Sequence, residues 1–354
     1  MRIGVVGVGY WGPNLVRTLM ESNRCAEVWC FDQRPAAAAR IAVRFPTVKR
    51  AASLEELISN CDAVMVATPV ETHFAVAKAA LLKGKPVFVE KPLAHSTQQA
   101  RELVFLAEQR QAMLMVGHTF IFSPAVRKIK QYVDSGTLGE IYFLSSSRVN
   151  LGIHRKDVNV VWDLAAHDLS IFHYWLGMTP KRIAAMGRAC IGNMVDVASL
   201  HCEFPADIIA SLEVSWLAPG KLRRTVVIGS KRMVVYDDTL IDEKIKLLDR
   251  GARLEDPVSF GEYQLTYRTG DILSPNLDAT EPLLLQTTHF LDCVRTGSRP
   301  ETDGRMGLEV VSALEAACRS IERNGDWVEL DVSMDSQKTG QELIGQRATS
   351  QASA

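Results

Sequence analysis

Ile3-Gly4-Val5-Val6-Gly7-Val8-Gly9-Tyr10-Trp11-Gly12 decides the fold. A short apolar run of strand character passes directly into Gly-x-Gly-x-x-Gly, and the residues after it open a helix. Gly7 permits a tight turn, Gly9 lets the backbone approach a pyrophosphate, and Gly12 permits close packing of helix on strand. Tyr10 and Trp11 ride on the same loop. The N–H groups at the start of the helix remain free for an anion. Twenty positions after Gly12, the second strand ends at Asp32, whose carboxylate can accept hydrogen bonds from an adenine ribose. The combination reads as a dinucleotide site. Asp32 repels a 2′-phosphate and so favours NAD over NADP, although Arg34 nearby keeps NADP open.

Outward from that stretch, apolar segments at 3–6, 28–31, 63–67, 87–89 and 114–116 alternate with helix-like segments such as 71–83 and 96–110. The alternation predicts parallel strands joined by right-handed crossovers, hence a doubly wound α/β sheet. From Ser123-Pro124 the pattern changes. A basic amphipathic helix stops at Gly136, and segments 141–151, 183–189, 195–204, 208–216, 225–228, 233–237 and 245–249 are rich in β-branched residues without helical periodicity. They predict a large, mostly antiparallel, open-faced sheet, interrupted by one helix over 163–176. A polar, Pro-containing loop near 270–282 precedes two helices, 283–296 and 305–324, that could pack back on the first domain. The expected division is a dinucleotide domain over 1–120, an α+β substrate-binding and oligomerisation domain over 121–333, and a disordered tail over 334–354.

Bulk properties narrow the function. At 354 residues two domains are expected, and 47% hydrophobic with 23% charged residues suits a globular protein with ample core. A net charge of −1, with no basic cluster interleaved with aromatics, argues against a nucleic-acid partner. Strand character begins at Arg2 and no apolar run is long enough to span a bilayer, so a cytoplasmic protein without a membrane partner is expected. Seven scattered cysteines lack the close pairs of zinc sites and read as reduced core thiols, with no metal expected.

Two more segments carry chemistry. Val87-Phe88-Val89-Glu90-Lys91-Pro92 ends a strand in an acid, a base and a proline, where α/β enzymes present groups to a ligand. A solvated charged pair at a strand exit is the bland alternative. Thr68-Pro69 ends another strand, with His73 in the next helical turn; a plain helix start explains the first two, and a surface position the third. In Trp162-Asp163-Leu164-Ala165-Ala166-His167-Asp168, Asp163 and His167 lie four apart and so on one face of a helix. A carboxylate orienting an imidazole suits a general base for alcohol oxidation; a buried, satisfied histidine explains the pair equally well.

The glycine loop, Glu90-Lys91-Pro92 and Asp163-x-x-x-His167, in this order, resemble the Gfo/Idh/MocA oxidoreductases, and the resemblance spans almost the whole chain. It implies hydride transfer between a secondary alcohol carbon and NAD(P), with Lys91, Asp163 and His167 as the catalytic group and a cis Lys91–Pro92 bond turning the lysine into the cleft. A proton relay through Lys91 stays open beside His167 as base. Gly117-His118-Thr119-Phe120, Arg148-Val149-Asn150-Leu151-Gly152 and the Trp before Asp163 are similar to members acting on nucleotide-activated sugars. That similarity makes His118, Arg148, Asn150 and Trp162 candidate substrate contacts, Arg148 equally a structural ion-pair partner. Glu90, Thr68, Pro69 and His73 are carried with the cofactor. Asn159-Val160-Val161-Trp162 departs from the Gly-rich approach to the Asp that many members have. The rivals are a non-catalytic NAD-binding sensor on the same fold, and a reductase of an imine or double bond.

Overall fold

The computed structural model describes residues 1–332 except 153, 156 and 256–263. The first third holds β1 (Arg2–Val6), α1 (Gly12–Glu21), β2 (Glu27–Phe31), α2 (Pro35–Arg44), β3 (Lys49–Arg50), α3 (Leu54–Asn60), β4 (Ala63–Val66), α4 (Val70–Leu82), β5 (Val87–Glu90), α5 (Thr97–Gln109) and β6 (Leu114–Gly117). The strands pair in parallel in the order β3-β2-β1-β4-β5-β6. Every residue of β4, β5 and β6 is buried, as continuous apolar strands covered on both faces must be. The order reverses between β1 and β4, which opens a crevice at their carboxyl ends. The doubly wound sheet is therefore present, with a two-residue strand β3 that the sequence pattern is too short to reveal.

The second sheet follows α6 (Pro124–Asp134). Its strands are β7 (Ile141–Leu151), β8 (Arg182–Arg188), β9 (Val197–Glu203), β10 (Ile209–Ser215), β11 (Leu217–Gly229), β12 (Met233–Asp237), β13 (Ile245–Glu255), β14 (Gln264–Leu273) and β15 (Val328–Glu329), with α7 (Ala166–Leu176) between β7 and β8. The order is β14-β13-β12-β11-β7-β10-β9-β8-β15, antiparallel except that β7 and β10 run parallel. One expectation changes here. The loop expected from 270 is still strand until Leu273, because β14 is polar and exposed and gives no alternation to read. Of four apolar positions on strands that the pattern makes half-buried, Val214 and Trp216 are buried, whereas Val226 and Ile228 lie partly open on the uncovered face.

The other face packs against α7 and α6, stitched where the Trp175 indole donates to the Val126 carbonyl at 2.9 Å. The last helices, α8 (Pro282–Thr296) and α9 (Gly304–Glu322), lie against the first sheet's helices. Arg17 pairs with Glu281, Arg24 with Asp292, and the Thr18 and Thr287 hydroxyls meet at 2.9 Å between α1 and α8. Arg305 pairs with Glu108 of α5. All seven cysteines are free, with Cys190 exposed and Cys25 and Cys318 partly so. No helix among the described residues is long and apolar enough to cross a membrane. The stretch 334–354 lies outside the described residues.

Candidate active site

A cleft of ≈ 1810 Å³ opens at the crevice where the strand order reverses, between the two sheets. Gly7, Gly9, Tyr10, Trp11, Asp32, Thr68, Pro69, His73, Glu90, Lys91, Trp162, Asp163 and His167 all line it. Gly12, His118, Arg148 and Asn150 do not.

The glycine loop is built for a close backbone approach. Gly7 has φ +86°, which L side chains rarely adopt, and a Cβ on Gly12 would stand 2.0 Å from the Gly7 carbonyl oxygen. No side chain caps the N-terminus of α1; Pro13 has no N–H to offer, and the Asn14 N–H is taken by the Trp11 carbonyl at 2.9 Å. Asp32 is tied into the loop: Oδ2 accepts the Val8 N–H at 3.0 Å and Oδ1 the Arg34 N–H at 2.9 Å. Oδ1 also accepts the Arg34 Nε–H at 3.3 Å, so of the roughly four lone-pair directions of a carboxylate the free one for a ribose is on Oδ2. These features fit a dinucleotide.

Lys91 leaves the end of β5 through a cis Lys91–Pro92 bond. Its Nζ donates to the Asp163 carbonyl at 2.9 Å and lies 3.7 Å from the Asp163 carboxylate. Burial lowers the ammonium's pKa, and Asp163 restores part of the loss. Glu90 beside it is buried, and its carboxyl is pushed up to about 7 by desolvation.

The expected Asp163–His167 pair does not form among the described contacts. Residues Val161–Ala165 coil as a π-helical turn ahead of α7, so the four-residue stacking of an α-helix does not hold there. The Asp163 carboxylate instead accepts the Trp216 indole N–H at 3.1 Å and faces Arg155 at 3.4 Å. His167 rests edge-on against Phe120, its Nδ1 buried without a hydrogen-bond partner among the described residues. Burial, then Lys91 and Arg148, hold its pKa well below 6.5, so the imidazole is neutral. Asn159 accounts for the departure before Trp162: its Oδ1 accepts the Val161 and Trp162 N–H groups, both at 3.1 Å.

Four other assignments are corrected. Arg148 is buried in an ion pair with Asp168 at 2.5 Å, itself bonded to Ser146, and its guanidinium lies over Phe120. The guanidinium therefore supports the wall behind His167 and does not reach the cleft. His118 is 1% exposed, its ring pushed down to about 3 by burial, with neither nitrogen bonded among the described residues. Asn150 packs its amide beside Gly152. His73 is not a surface residue and has no ring nitrogen left for a cofactor, since both lie 2.8 Å from carbonyls, of Pro92 and Thr68. Trp162 does line the cleft, stacked on His95.

Sequence reasoning missed Arg155, Arg223, Asp238 and Lys244, which also line the cleft. Arg155 and Asp157 belong to a charged run just ahead of the Asp163 helix, and that run was a readable signal.

The first 118 residues match the model of the Gfo/Idh/MocA oxidoreductase family, NAD-binding Rossmann fold, and residues 126–235 match the Gfo/Idh/MocA C-terminal domain. The chain belongs to the Gfo/Idh/MocA family of NAD-binding oxidoreductases. A UDP-N-acetylglucosamine 3-dehydrogenase of Acidithiobacillus ferrooxidans is 29% identical over 253 residues, 71% of this chain and 78% of that relative. A structure of that enzyme superposes with a TM-score of 0.75 at 26% identity, covering 91% of this chain and 98% of that one. The scyllo-inositol 2-dehydrogenase (NAD(+)) of Bacillus subtilis is 27% identical over 350 residues, 94% of this chain and 97% of that one. A levoglucosan dehydrogenase bound to NADH and levoglucosan shares the fold, with a TM-score of 0.80 at 18% identity over 93% of this chain and 99% of that one.

Proposed function

We propose that the protein oxidises a secondary alcohol of a sugar or cyclic polyol, reversibly, with NAD. The observation that carries the reading is the convergence of Lys91, Asp163 and His167 beside the glycine loop in one cleft. NAD, held by that loop, supplies the hydride acceptor. His167, kept neutral, takes the hydroxyl proton as the C–H bond gives up its hydride. Lys91 donates a hydrogen bond to the reacting oxygen and offsets the charge that develops there. Asp163 holds the lysine protonated and aimed, which is a different task from orienting the imidazole. The sensor rival needs the glycine loop but none of these three side chains.

The likeness to a UDP-N-acetylglucosamine dehydrogenase supports a nucleotide-activated sugar, and the likeness to an inositol dehydrogenase supports a free polyol. With His118, Arg148 and Asn150 withdrawn from the cleft, Trp162 is the one of the four candidate contacts for the first choice that still lines it. Following reduced nicotinamide by absorbance against UDP-sugars, free sugars and inositols decides between them. Tight NAD binding with no turnover on any of the three classes would make the protein a sensor.

Asp32→Ala is expected to weaken NAD about tenfold and to narrow its advantage over NADP, because a ribose acceptor and a repulsive charge go together. Titrating both cofactors checks it; equal or tighter NADP binding by the unmutated protein contradicts it.

The uncovered face of the second sheet supports self-association. Phe143, Ile228 and Met233 stand in register across β7, β11 and β12, all partly exposed, beside Val226. A contiguous apolar face of this kind is normally covered by a partner. Light scattering at micromolar concentration is expected to give a homodimer or homotetramer, and a monodisperse monomer counts against it.

A further inference from the structure

Lys91 is flanked by contacts from the glycine loop on one side and from α4 on the other. Before it, Glu90 Oε1 accepts the Trp11 indole N–H at 2.7 Å. The other oxygen turns to the Lys91 backbone N–H at 3.3 Å. Gly117, on the adjacent strand β6, leaves the carboxyl its place, since a Cβ there would stand 2.9 Å from Glu90 Oε2. After Lys91, the His73 ring lies between the Pro92 carbonyl and the Thr68 carbonyl just past β4, 2.8 Å from each, and when neutral donates to one of them.

The first contact joins two parts of the site that lie 79 residues apart in sequence. Trp11 belongs to the glycine loop and immediately precedes α1. Its single N–H bonds the residue next to the lysine, and Glu90 is too buried for water to replace that donor readily. Desolvation raises the Glu90 pKa, and the bond from the Trp11 N–H is the largest influence that lowers it again.

We infer that Trp11 is a positioning residue: through Glu90 it holds Lys91 in register with the glycine loop, so that dinucleotide affinity and lysine placement are coupled. The inference rests on reading the cleft as a dinucleotide and alcohol site. It adds a task to a loop position that otherwise needs only to leave room for a pyrophosphate.

The test is a double-mutant cycle read on NAD binding by calorimetry. Trp11→Phe keeps the ring and removes the donor, Glu90→Leu removes the acceptor, and Glu90→Gln keeps a weaker one. Each of the first two is expected to weaken NAD about tenfold, the pair together by little more than either alone, with Glu90→Gln between them and the unmutated protein. At saturating NAD, kcat of Trp11→Phe is still expected to fall about tenfold, because the lysine is no longer held. A hundredfold, additive loss in the double variant, unchanged NAD affinity in Trp11→Phe, or a Trp11→Phe defect that vanishes at saturation each overturns the link. Should Glu90→Leu not fold, Trp11→Phe and Glu90→Gln close the same cycle. If no alcohol is oxidised at all, the proposed function fails while the binding cycle still reads the coupling.

Discussion

Replacing His167 by Ala is expected to lower kcat about 10²- to 10⁴-fold while NAD binds nearly as before, the range that loss of a positioned general base produces. The pH profile carries the sharper test. Burial and the nearby Lys91 and Arg148 disfavour the imidazolium, so His167 stays unprotonated to well below its ordinary value of 6.5. The acid limb of kcat/KM in the unmutated protein therefore lies below pH 6.5, and His167→Ala abolishes it. A limb that persists in the variant assigns the base elsewhere. An almost fully active His167→Ala beside a dead Lys91→Ala moves it to the lysine.

The second large effect belongs to Lys91. Lys91→Ala removes a donor and a positive charge from the reacting oxygen, and is expected to cost about 10²- to 10³-fold in kcat, with KM for the alcohol rising as well. Asp163→Asn distinguishes the lysine's partner from the histidine's. Asp163 raises the pKa of Lys91, so its loss leaves the ammonium easier to deprotonate, and activity is lost at lower pH on the alkaline side. The acid limb stays where it was. An acid limb that moves in Asp163→Asn while the alkaline one stays would return Asp163 to the imidazole. Normal turnover in all three variants would remove the site altogether.

What the sequence made legible is what is local in the chain. The glycine loop, Asp32 and the strand exit at Lys91 each occupy a few consecutive residues whose backbone needs are written in their own composition. The helix carrying Asp163 and His167 was equally legible, but its pairing was not. One π-helical turn, invisible to a four-residue count, separates the two side chains and sends Asp163 to Trp216, 53 residues away. For Arg148 the structure bears out the ion-pair alternative, but the partner, Asp168, was hidden for a related reason. The two residues lie on β7 and α7, and Asp168, directly after His167, was passed over because no periodicity marks a carboxylate that points the other way. His73 looked like a surface histidine because nothing near it in sequence announces the two carbonyls that bury it. Polar β14 shows the same limit at the level of whole elements.

The edge strand β6 carries a consequence for how the protein is made. Its Val116 N–H and carbonyl are both claimed by Thr302, through that residue's carbonyl and hydroxyl, 186 residues later, and Met115 bridges Asp303 beside them. On a ribosome the six-stranded sheet thus waits, with one border unpaired, until nearly the whole described chain has emerged. An exposed parallel edge is a template for another chain. Nascent molecules are most vulnerable to one another during that interval, and a fragment cut after the first sheet inherits the same open border permanently.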